Sequence, residues 1–307
     1  GKLNLGIDFS GGRNYIIRFA EPVNTEEVNT ALDNVFMEAM AASNSDETFA
    51  VNVITIGDAN QVRVSTNYRI NDNSETLDDE IEALLYEGCK QFLPENVTLK
   101  EFTSTDINPE IGIMQSQKVG PAIADDITQS AVWAVLAALL GIFLYVLLRF
   151  RNFSFSVGAL AGLAHNTLIV LGAYALLWKV MPFSMEIDQS FIAAILTVIG
   201  YSINDTVVIF DRVREYTGLY PKRARKQNIN DALNQTLSRT FSTSMSTLVV
   251  LIAIFCFGGE TIRGFVFALI IGVVVGTYSS LCVATPLAYD IQEALDRRKA
   301  KKAALNK

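Results

Sequence analysis

Five apolar runs after residue 119 restrict the fold of this chain more than any other feature of its sequence. Each run is near the roughly 20 residues that an α-helix needs to cross the hydrocarbon core of a bilayer. The fourth run is the shortest, so its helix is expected to begin upstream, near Ser238. The pattern predicts a bundle of five transmembrane helices. The runs are approximately Ser130–Leu148, Ser154–Leu177, Phe191–Phe210, Phe241–Phe257 and Phe265–Ala288.

Charge is divided unevenly along the chain. Residues 1–118 hold 8 of the 25 Lys/Arg and 20 of the 32 Asp/Glu, whereas residues 119–307 hold the other 17 and 12. The first part has the composition of an acidic soluble domain, and the second that of apolar helices with basic loops. The acidic balance argues against nucleic acid as a partner. Three regions are therefore predicted: a domain at 1–118, a membrane domain at 119–290 and a basic tail at 291–307.

Residues 1–118 alternate between strand-like and helix-like segments. Their order is β-α-β-β-α-β, which predicts an α+β domain with a split βαβ, or ferredoxin-like, arrangement. The glycine pair Gly11-Gly12 before the first strand predicts a tight turn and not a phosphate-binding loop. The predicted segments are strands at Arg13–Phe19, Phe49–Ile56, Gln61–Asn67 and Val97–Thr103 and helices at Asn24–Ala42 and Ser74–Phe92.

Basic residues in the loops predict the orientation in the membrane. Lys and Arg follow the first, third and fifth apolar runs, whereas the loops after the second and fourth runs have few of them. The positive-inside rule then places the C-terminus in the cytoplasm and residues 1–118 outside it, in a bacterial periplasm. Five helices leave the N-terminus outside as well. A sixth helix is therefore expected upstream of Gly1, and the sequence is suspected to be cropped.

Asp205 is the most informative polar residue in the apolar runs. It follows Asn204 and is itself followed by Val207, Val208, Ile209 and Phe210. A carboxylate at membrane depth costs roughly 2.5–3.5 kcal/mol or more, so it usually faces a bundle interior and marks an ion or proton path. The alternative is that Asp205 lies near a helix end and reaches interfacial water, but the apolar residues after it make this the weaker interpretation.

Arg239 is a candidate partner for this carboxylate. It lies in Ser238-Arg239-Thr240, at the start of the fourth apolar run. If the chain reverses between the third and fourth runs, Arg239 and Asp205 lie toward the same membrane face and could pair across adjacent helices. An arginine near a helix end can instead extend its side chain to the interface, and Arg239 alone would not decide between these interpretations.

Small residues recur at every fourth position in two of the predicted membrane helices. The first pair is Gly158 and Gly162, and the second set is Gly272, Gly276 and Ser280. Such spacing allows helices to approach closely, and helix packing is the favoured interpretation. Asn166 and the hydroxyl run from Ser242 to Thr247 are also polar within apolar runs. Most such groups bond to backbone or to one another, and some could hold water near Asp205.

Residues typical of catalysis or metal binding are sparse. The three cysteines do not form a disulfide framework, and the single histidine, His165, lies within an apolar run. No Ser/His/Asp, Cys/His or metal-ligand constellation is visible in the sequence. The chain is therefore not expected to be an enzyme, and neither a cofactor nor a metal is expected.

Several motifs together resemble the SecF half of the SecD/SecF protein-export family, a branch of the resistance-nodulation-division superfamily. The resemblance covers essentially the whole chain, and the motif in the third apolar run is its most specific part. The motifs are Gly6-Ile7-Asp8-Phe9-Ser10-Gly11-Gly12, Val119-Gly120-Pro121, the run from Ile199 to Arg212, Ser238-Arg239-Thr240 and the run from Gly272 to Ser280.

The resemblance implies a function and a set of partners. SecD and SecF halves each contribute six membrane helices, and proton flow through them moves extracytoplasmic domains that pull or hold preproteins. The expected partners are SecD (or the SecD half of a fusion), the SecYEG translocon, the preprotein and the lipid bilayer of the inner membrane. Asp205 resembles the family's intramembrane carboxylate and Arg239 its partner arginine. The predicted proton relay comprises Asp205, Arg239, Asn204, Thr206 and Ser242.

Two other functions remain open from the sequence. A small-molecule or lipid exporter of the same superfamily would share the intramembrane charges, although about a hundred residues of external domain leave little room for a substrate cleft. A membrane-anchored scaffold or peptide-binding module would not need Asn-Asp inside a helix. The coupling ion, proton or sodium, is open too.

Overall fold

The computed structural model describes residues 3–42, 49–72, 74, 76–181 and 183–305. An N-terminal α+β domain is followed by a bundle of long helices, as predicted. The domain contains α1 (Ile7–Ser10), β1 (Gly12–Arg18), α2 (Thr25–Ala42), β2 (Val51–Thr55), β3 (Gln61–Thr66), α3 (Leu77–Cys89), a 3-10 turn (Lys90–Phe92), α4 (Leu99–Thr103) and β4 (Gly112–Val119).

The four strands form one antiparallel sheet in the order β2-β3-β1-β4. This order confirms the predicted split arrangement, because β3 lies between β1 and β2. Position 75, within the second predicted helix, lies outside the described residues. Gly11 and Gly12 turn the chain from α1 into β1 with φ of 69° and 151°, values that a residue with a side chain rarely adopts.

The predicted last strand, Val97–Thr103, is wrong. Leu99–Thr103 forms a short helix, and the fourth strand is Gly112–Val119. The helix begins at a capping box, in which the Thr98 side chain accepts from the Glu101 amide and the Glu101 side chain accepts from the Thr98 amide at 2.7 Å. These bonds satisfy amides that a helix start leaves free and favour the helix over an extended chain.

One face of the sheet packs against α2 and α3 to form the core of the domain. The inward residues of α2 recur at helical spacing, as predicted, and include the fully buried Leu32 and Phe36. Arg13 of β1 is also 1% exposed, and its Nε donates to Asp78 at 2.9 Å. The opposite face of the sheet carries polar side chains, among them Arg63, and points toward the membrane helices.

Cys89, at the end of α3, provides a test of this core. The thiol is fully buried, and burial raises its pKa to about 12, whereas an unfolded thiol has a pKa of about 8.5. Above pH 8.5 the unfolded chain loses a proton that the folded chain keeps, so stability is lost as pH rises toward 12. We expect Cys89 to resist alkylation at pH 8.5 in the native protein and to react in denaturant, as read by mass spectrometry of its peptide. Equal labelling in both conditions would show that the core is open.

Five helices of the described part are long and apolar enough to cross a membrane. Pro121 occupies the first turn of α5, where a missing amide hydrogen costs nothing. The fourth helix begins well upstream of its apolar run. The elements are α5 (Pro121–Phe150), α6 (Phe153–Leu177), α7 (Gln189–Leu219), α8 (Arg225–Phe257), α9 (Glu260–Ser279), a π-helical segment (Ser280–Ala284) and α10 (Thr285–Leu305).

The small residues lie where helices approach closely, which confirms the packing prediction. A Cβ at Gly158 would meet the Ala284 carbonyl, and one at Gly276 would lie 3.2 Å from Ser202. The glycines therefore bring α6 against the π-helical segment and α9 against α7. This contact between α7 and α9 positions the buried face of α7, on which the predicted carboxylate lies.

Candidate functional site

Asp205 lies on the buried face of α7. Asp188 caps the N-terminus of this helix, and its side chain accepts from the Phe191 amide at 2.8 Å. Asp205 follows the first residue of the helix, Gln189, by sixteen positions, or about 24 Å along the axis at 1.5 Å per residue. Its exposed fraction is 5%. The carboxylate is therefore held inside the bundle and well away from the N-terminal end of the helix.

The carboxylate of Asp205 faces α8 and has spare hydrogen-bonding capacity. Ser244 on α8 lies close enough to act on it, and the Ser244 hydroxyl itself is 2.6 Å from that of Thr277. Its Oδ2 atom is buried and has no hydrogen-bond partner among the residues that the structure describes. A buried acceptor without a partner is costly, so this atom is available for a proton or a donor.

Arg239 lies on α8, on the helix that packs against α7. Its charge acts on Asp205, but among the described ion pairs none joins the two side chains at 4.0 Å or less. The Arg239 side chain is exposed on the surface of this chain. The two residues are thus placed on facing helices, and the predicted contact between them is electrostatic in this conformation and not a direct ion pair.

The other predicted relay residues divide between the two sides of α7 and α8. Thr206 is 3% exposed and lies inside, where its Oγ1 is 2.9 Å from Ser280 Oγ. Asn204 and Ser242 are exposed on the surface of this chain, and the Ser242 hydroxyl donates to the Ser238 carbonyl. Asp205 and Thr206 therefore share the interior, whereas Asn204, Arg239 and Ser242 lie on the outer surface of the chain.

A polar seam continues from Thr206 across the interior of the bundle. Ser280 Oγ lies 3.4 Å from the Ser202 carbonyl, and the Ser202 hydroxyl accepts from Asn166 Nδ2 at 2.8 Å. On the other side of α9, the hydroxyls of Ser244 and Thr277 are 2.6 Å apart. The seam links four helices by hydroxyl and amide groups at the level of the buried carboxylate.

Ser202, Thr277 and Ser280 were not among the predicted relay residues. Ser202 and Thr206 are four positions apart on α7, and Ser280, directly after α9, follows Gly276 by four positions. This spacing places each pair on one helical face. It is the sequence feature from which Ser202 and Ser280 could have been predicted to lie in the interior with Thr206. Ser280 begins a π-helical segment, and the Thr285 hydroxyl donates to its carbonyl at 2.8 Å. Single π-turns of this kind are frequent at functional sites.

Comparison with known proteins identifies the family. The family model for the SecD/SecF GG motif matches residues 2–23, and that for the protein export membrane protein SecD/SecF, C-terminal, matches residues 99–294. The chain is 40% identical over 291 residues to the protein translocase subunit SecF of Rhodothermus marinus, covering 94% of this chain and 84% of that protein. The corresponding subunit of Thermodesulfovibrio yellowstonii is 37% identical and is covered to 83%.

A solved structure has the same fold. The translocon-associated membrane protein SecDF of Thermus thermophilus is 31% identical and matches with a TM-score of 0.73. The match covers 94% of this chain and 34% of the SecDF chain, so this chain spans about a third of that protein. With two family models and relatives matched over most of their length, the chain belongs to the SecF family of protein-export membrane proteins.

Proposed function

We propose that this chain is a SecF-type subunit that uses the proton-motive force to move its extracytoplasmic domain and so promotes Sec-dependent protein export. The observation that carries the proposal is the Asp205 carboxylate, which is buried inside a membrane-spanning helix, has one oxygen free and lies within electrostatic reach of Arg239. Buried intramembrane carboxylates of this kind mark proton paths. The names of the relatives point to a transport component and not to an enzyme.

The orientation of the chain is part of this proposal. Arg149 pairs with Asp211 at 3.0 Å and Arg225 pairs with Asp296 at 2.8 Å, which brings the basic ends of four helices together. The α+β domain contacts the opposite end of the bundle, near Ile187. A bacterial inner-membrane protein with these basic ends in the cytoplasm would present residues 1–118, and with them the domain, to the periplasm.

The charge of Asp205 acts as the switch. When ionised, the carboxylate attracts Arg239 and draws α7 and α8 together. When Asp205 takes up a proton, this attraction ends and the two helices are free to shift. Thr206 of α7 and Ser244 of α8 add hydroxyl groups to this interior, where they contact the hydroxyls of Ser280 and Thr277. Asn204 and Ser242 line the outer side of the same helices, where a proton would enter or leave.

The membrane potential provides enough energy for such a switch. One charge that crosses the full potential gains roughly 2.3 kcal/mol per 100 mV. Two conformations that differ by a few kcal/mol respond strongly to a bias of this size. A single carboxylate that is loaded from one side and unloaded to the other can therefore drive a two-state movement of the domain.

The exposed side of α7 and α8 indicates how the partners are arranged. Asn204, Arg239 and Ser242 are polar groups at membrane depth that this chain leaves uncovered, and exposing them to lipid is costly. We assign this surface to the SecD subunit, or to the SecD half of a fused chain. The assembled pair would act beside the SecYEG translocon on the emerging preprotein, with the remaining helix surfaces in the lipid bilayer.

Reconstitution tests the proposed function. The chain, its SecD partner and the translocon are placed in proteoliposomes, and preprotein translocation is measured with a proton gradient and after its collapse. We expect stimulation only with the chain present and the gradient intact. Equal stimulation without any gradient would favour an inert scaffold, whereas stimulation that follows a sodium gradient would assign sodium as the coupling ion. Altered drug sensitivity of a deletion strain without an export defect would favour the exporter.

A further inference from the structure

The segment from Phe183 to Asp188, which we call the strap, has two faces of different character. Phe183, Met185 and Ile187 are 8%, 2% and 6% exposed and belong to the apolar core of the membrane bundle. Ser184 and Glu186 alternate with them and contact the α+β domain. An extended chain directs successive side chains to opposite sides, so the strap is anchored in the bundle and presents polar groups to the domain.

Arg63 of β3 contacts both polar residues of the strap. One of its terminal nitrogens lies 2.9 Å from a carboxylate oxygen of Glu186 and donates to the Ser184 hydroxyl at 2.8 Å. The side chains of Arg63 and Glu186 are only 17% and 9% exposed. This contact joins the polar face of the sheet to the bundle, between positions that are 123 residues apart.

A second contact joins the N-terminal segment of the domain to the end of the same strap. Leu5 forms a parallel bridge with Ile187, in which the Gly6 amide donates to the Ile187 carbonyl and the Ile187 amide donates to the Asn4 carbonyl. The Asp8 carboxylate accepts a hydrogen bond at 3.1 Å from the amide of Gln189, which is the first residue of α7. The domain is therefore bonded directly to the N-terminus of the helix that carries Asp205.

The charges around Glu186 make Arg63 necessary for the contact. The groups that face Glu186 are Arg63, Asp188 and Asp8, one cation against two further carboxylates. Burial raises the pKa of Glu186, and the positive charge of Arg63 opposes this rise. Without Arg63, a buried carboxylate would stand beside two others and lose the cation that acts on it among the described groups.

We propose that the strap is the coupling element of the protein and that Arg63 is a positioning residue, which fastens the α+β domain to the outer end of α7 so that movement of this helix is passed directly to the domain. The inference rests on the proposed function and names the part that transmits it. The bridge at Leu5 and the bond from Gln189 to Asp8 hold the N-terminal segment of the domain, but they do not hold its sheet. The Arg63 contact, which is made from an inner strand, attaches the sheet itself to the strap.

Arg63→Ala tests the coupling in the full chain with its SecD partner. We expect amide exchange in the strap to rise at least about tenfold, because one partner of a buried ion pair is left uncompensated, and gradient-dependent export to fall with it. The matched control is Lys90→Ala, which removes a positive charge paired with Glu87 on α3 of the same domain. The exchanged pair Arg63→Glu with Glu186→Arg is expected to recover both readouts in part.

Each outcome bears on the coupling. Normal export by Arg63→Ala despite faster exchange in the strap would overturn it, as would unchanged exchange. Recovery of protection by the exchanged pair without recovery of export would also overturn it. Asp205→Asn is measured in the same assay. If Asp205→Asn lowers export and Arg63→Ala does not, the proposed coupling through the strap is refuted and the proposed function stands. Normal export by both variants would remove the proposed function as well.

A disulfide across the contact between the domain and the strap tests whether this contact has to open during export. Leu5→Cys with Ile187→Cys places two thiols on a bridge pair, near the Cα separation of about 4.4–6.8 Å that a disulfide needs. We expect oxidation to leave export intact, because the domain and α7 move together. The single-cysteine variants control for effects of oxidation and of each substitution. Loss of export on oxidation that a reductant reverses would show that the contact has to open, and would overturn the proposal.

Discussion

Asp205→Asn is expected to abolish gradient-dependent stimulation of export while the variant still assembles in the membrane. Asparagine has nearly the shape of a protonated aspartate, so it fixes one state of the switch. It also removes the cost of a buried charge whose Oδ2 has no partner among the described residues. Folding should therefore be unaffected or slightly improved, and only the response to the gradient should be lost.

Proteoliposomes with and without a proton gradient measure this result, and the amount of chain recovered with its partner measures assembly. Asp290→Asn is the matched control, because Asp290 is an exposed carboxylate on α10. It should retain the full response. Stimulation of normal size by Asp205→Asn would remove the carboxylate from the mechanism, whatever its burial.

The carboxylate could be identified from the sequence because it interrupts an apolar run, a pattern with few physical explanations. What the sequence could not provide was the side of α7 on which each neighbour lies. Asn204 and Asp205 are adjacent, and a helix separates them by 100°, but only the packing of α8 and α9 determines that Asp205 is inside and Asn204 outside. The predicted relay therefore combined residues that the structure places in two environments.

Local signals and long-range contacts differed in how well they could be predicted. The spans and the βαββαβ order follow from periodicity within each segment. The wrong strand at Val97–Thr103 contained a readable signal, Thr98 followed by Glu101, which is a helix start. By contrast, Arg63 and Glu186 have no common pattern, since their contact exists only after the sheet has formed and been placed over the bundle.

Helix α7 takes part both in the polar seam around Asp205 and in the contact with the α+β domain. Helix α7 carries Asp205 near its middle and is bonded at its first residue to Asp8 of the domain. A change in how α7 packs against α8 or α9 therefore reaches the domain without an intervening loop. The efficiency of this transfer depends on how tightly α7 is held by α9.

Gly272→Val is the substitution expected to disturb that packing most. A Cβ at Gly272 would overlap Val198 of α7, with Val198 Cγ1 at 2.8 Å and its Cβ at 3.0 Å. Rotation of the valine cannot clear this overlap, because its own Cβ is part of it. Overpacking of this kind costs about 1–3 kcal/mol. The helices must separate, which also pulls Ser280 away from Thr206.

We therefore expect Gly272→Val to lower the melting temperature of the purified protein by several degrees and to abolish gradient-dependent export. Gly141→Val is the matched control, since a Cβ at that position on α5 has no described neighbour within 4 Å outside its own helix turn. Adding Val198→Ala to Gly272→Val should recover part of the lost stability, because contacting residues are coupled and the shorter side chain frees the space that the new one needs. An unchanged melting temperature would show that α7 and α9 can separate freely, and direct transfer of motion through α7 would then lose its structural basis.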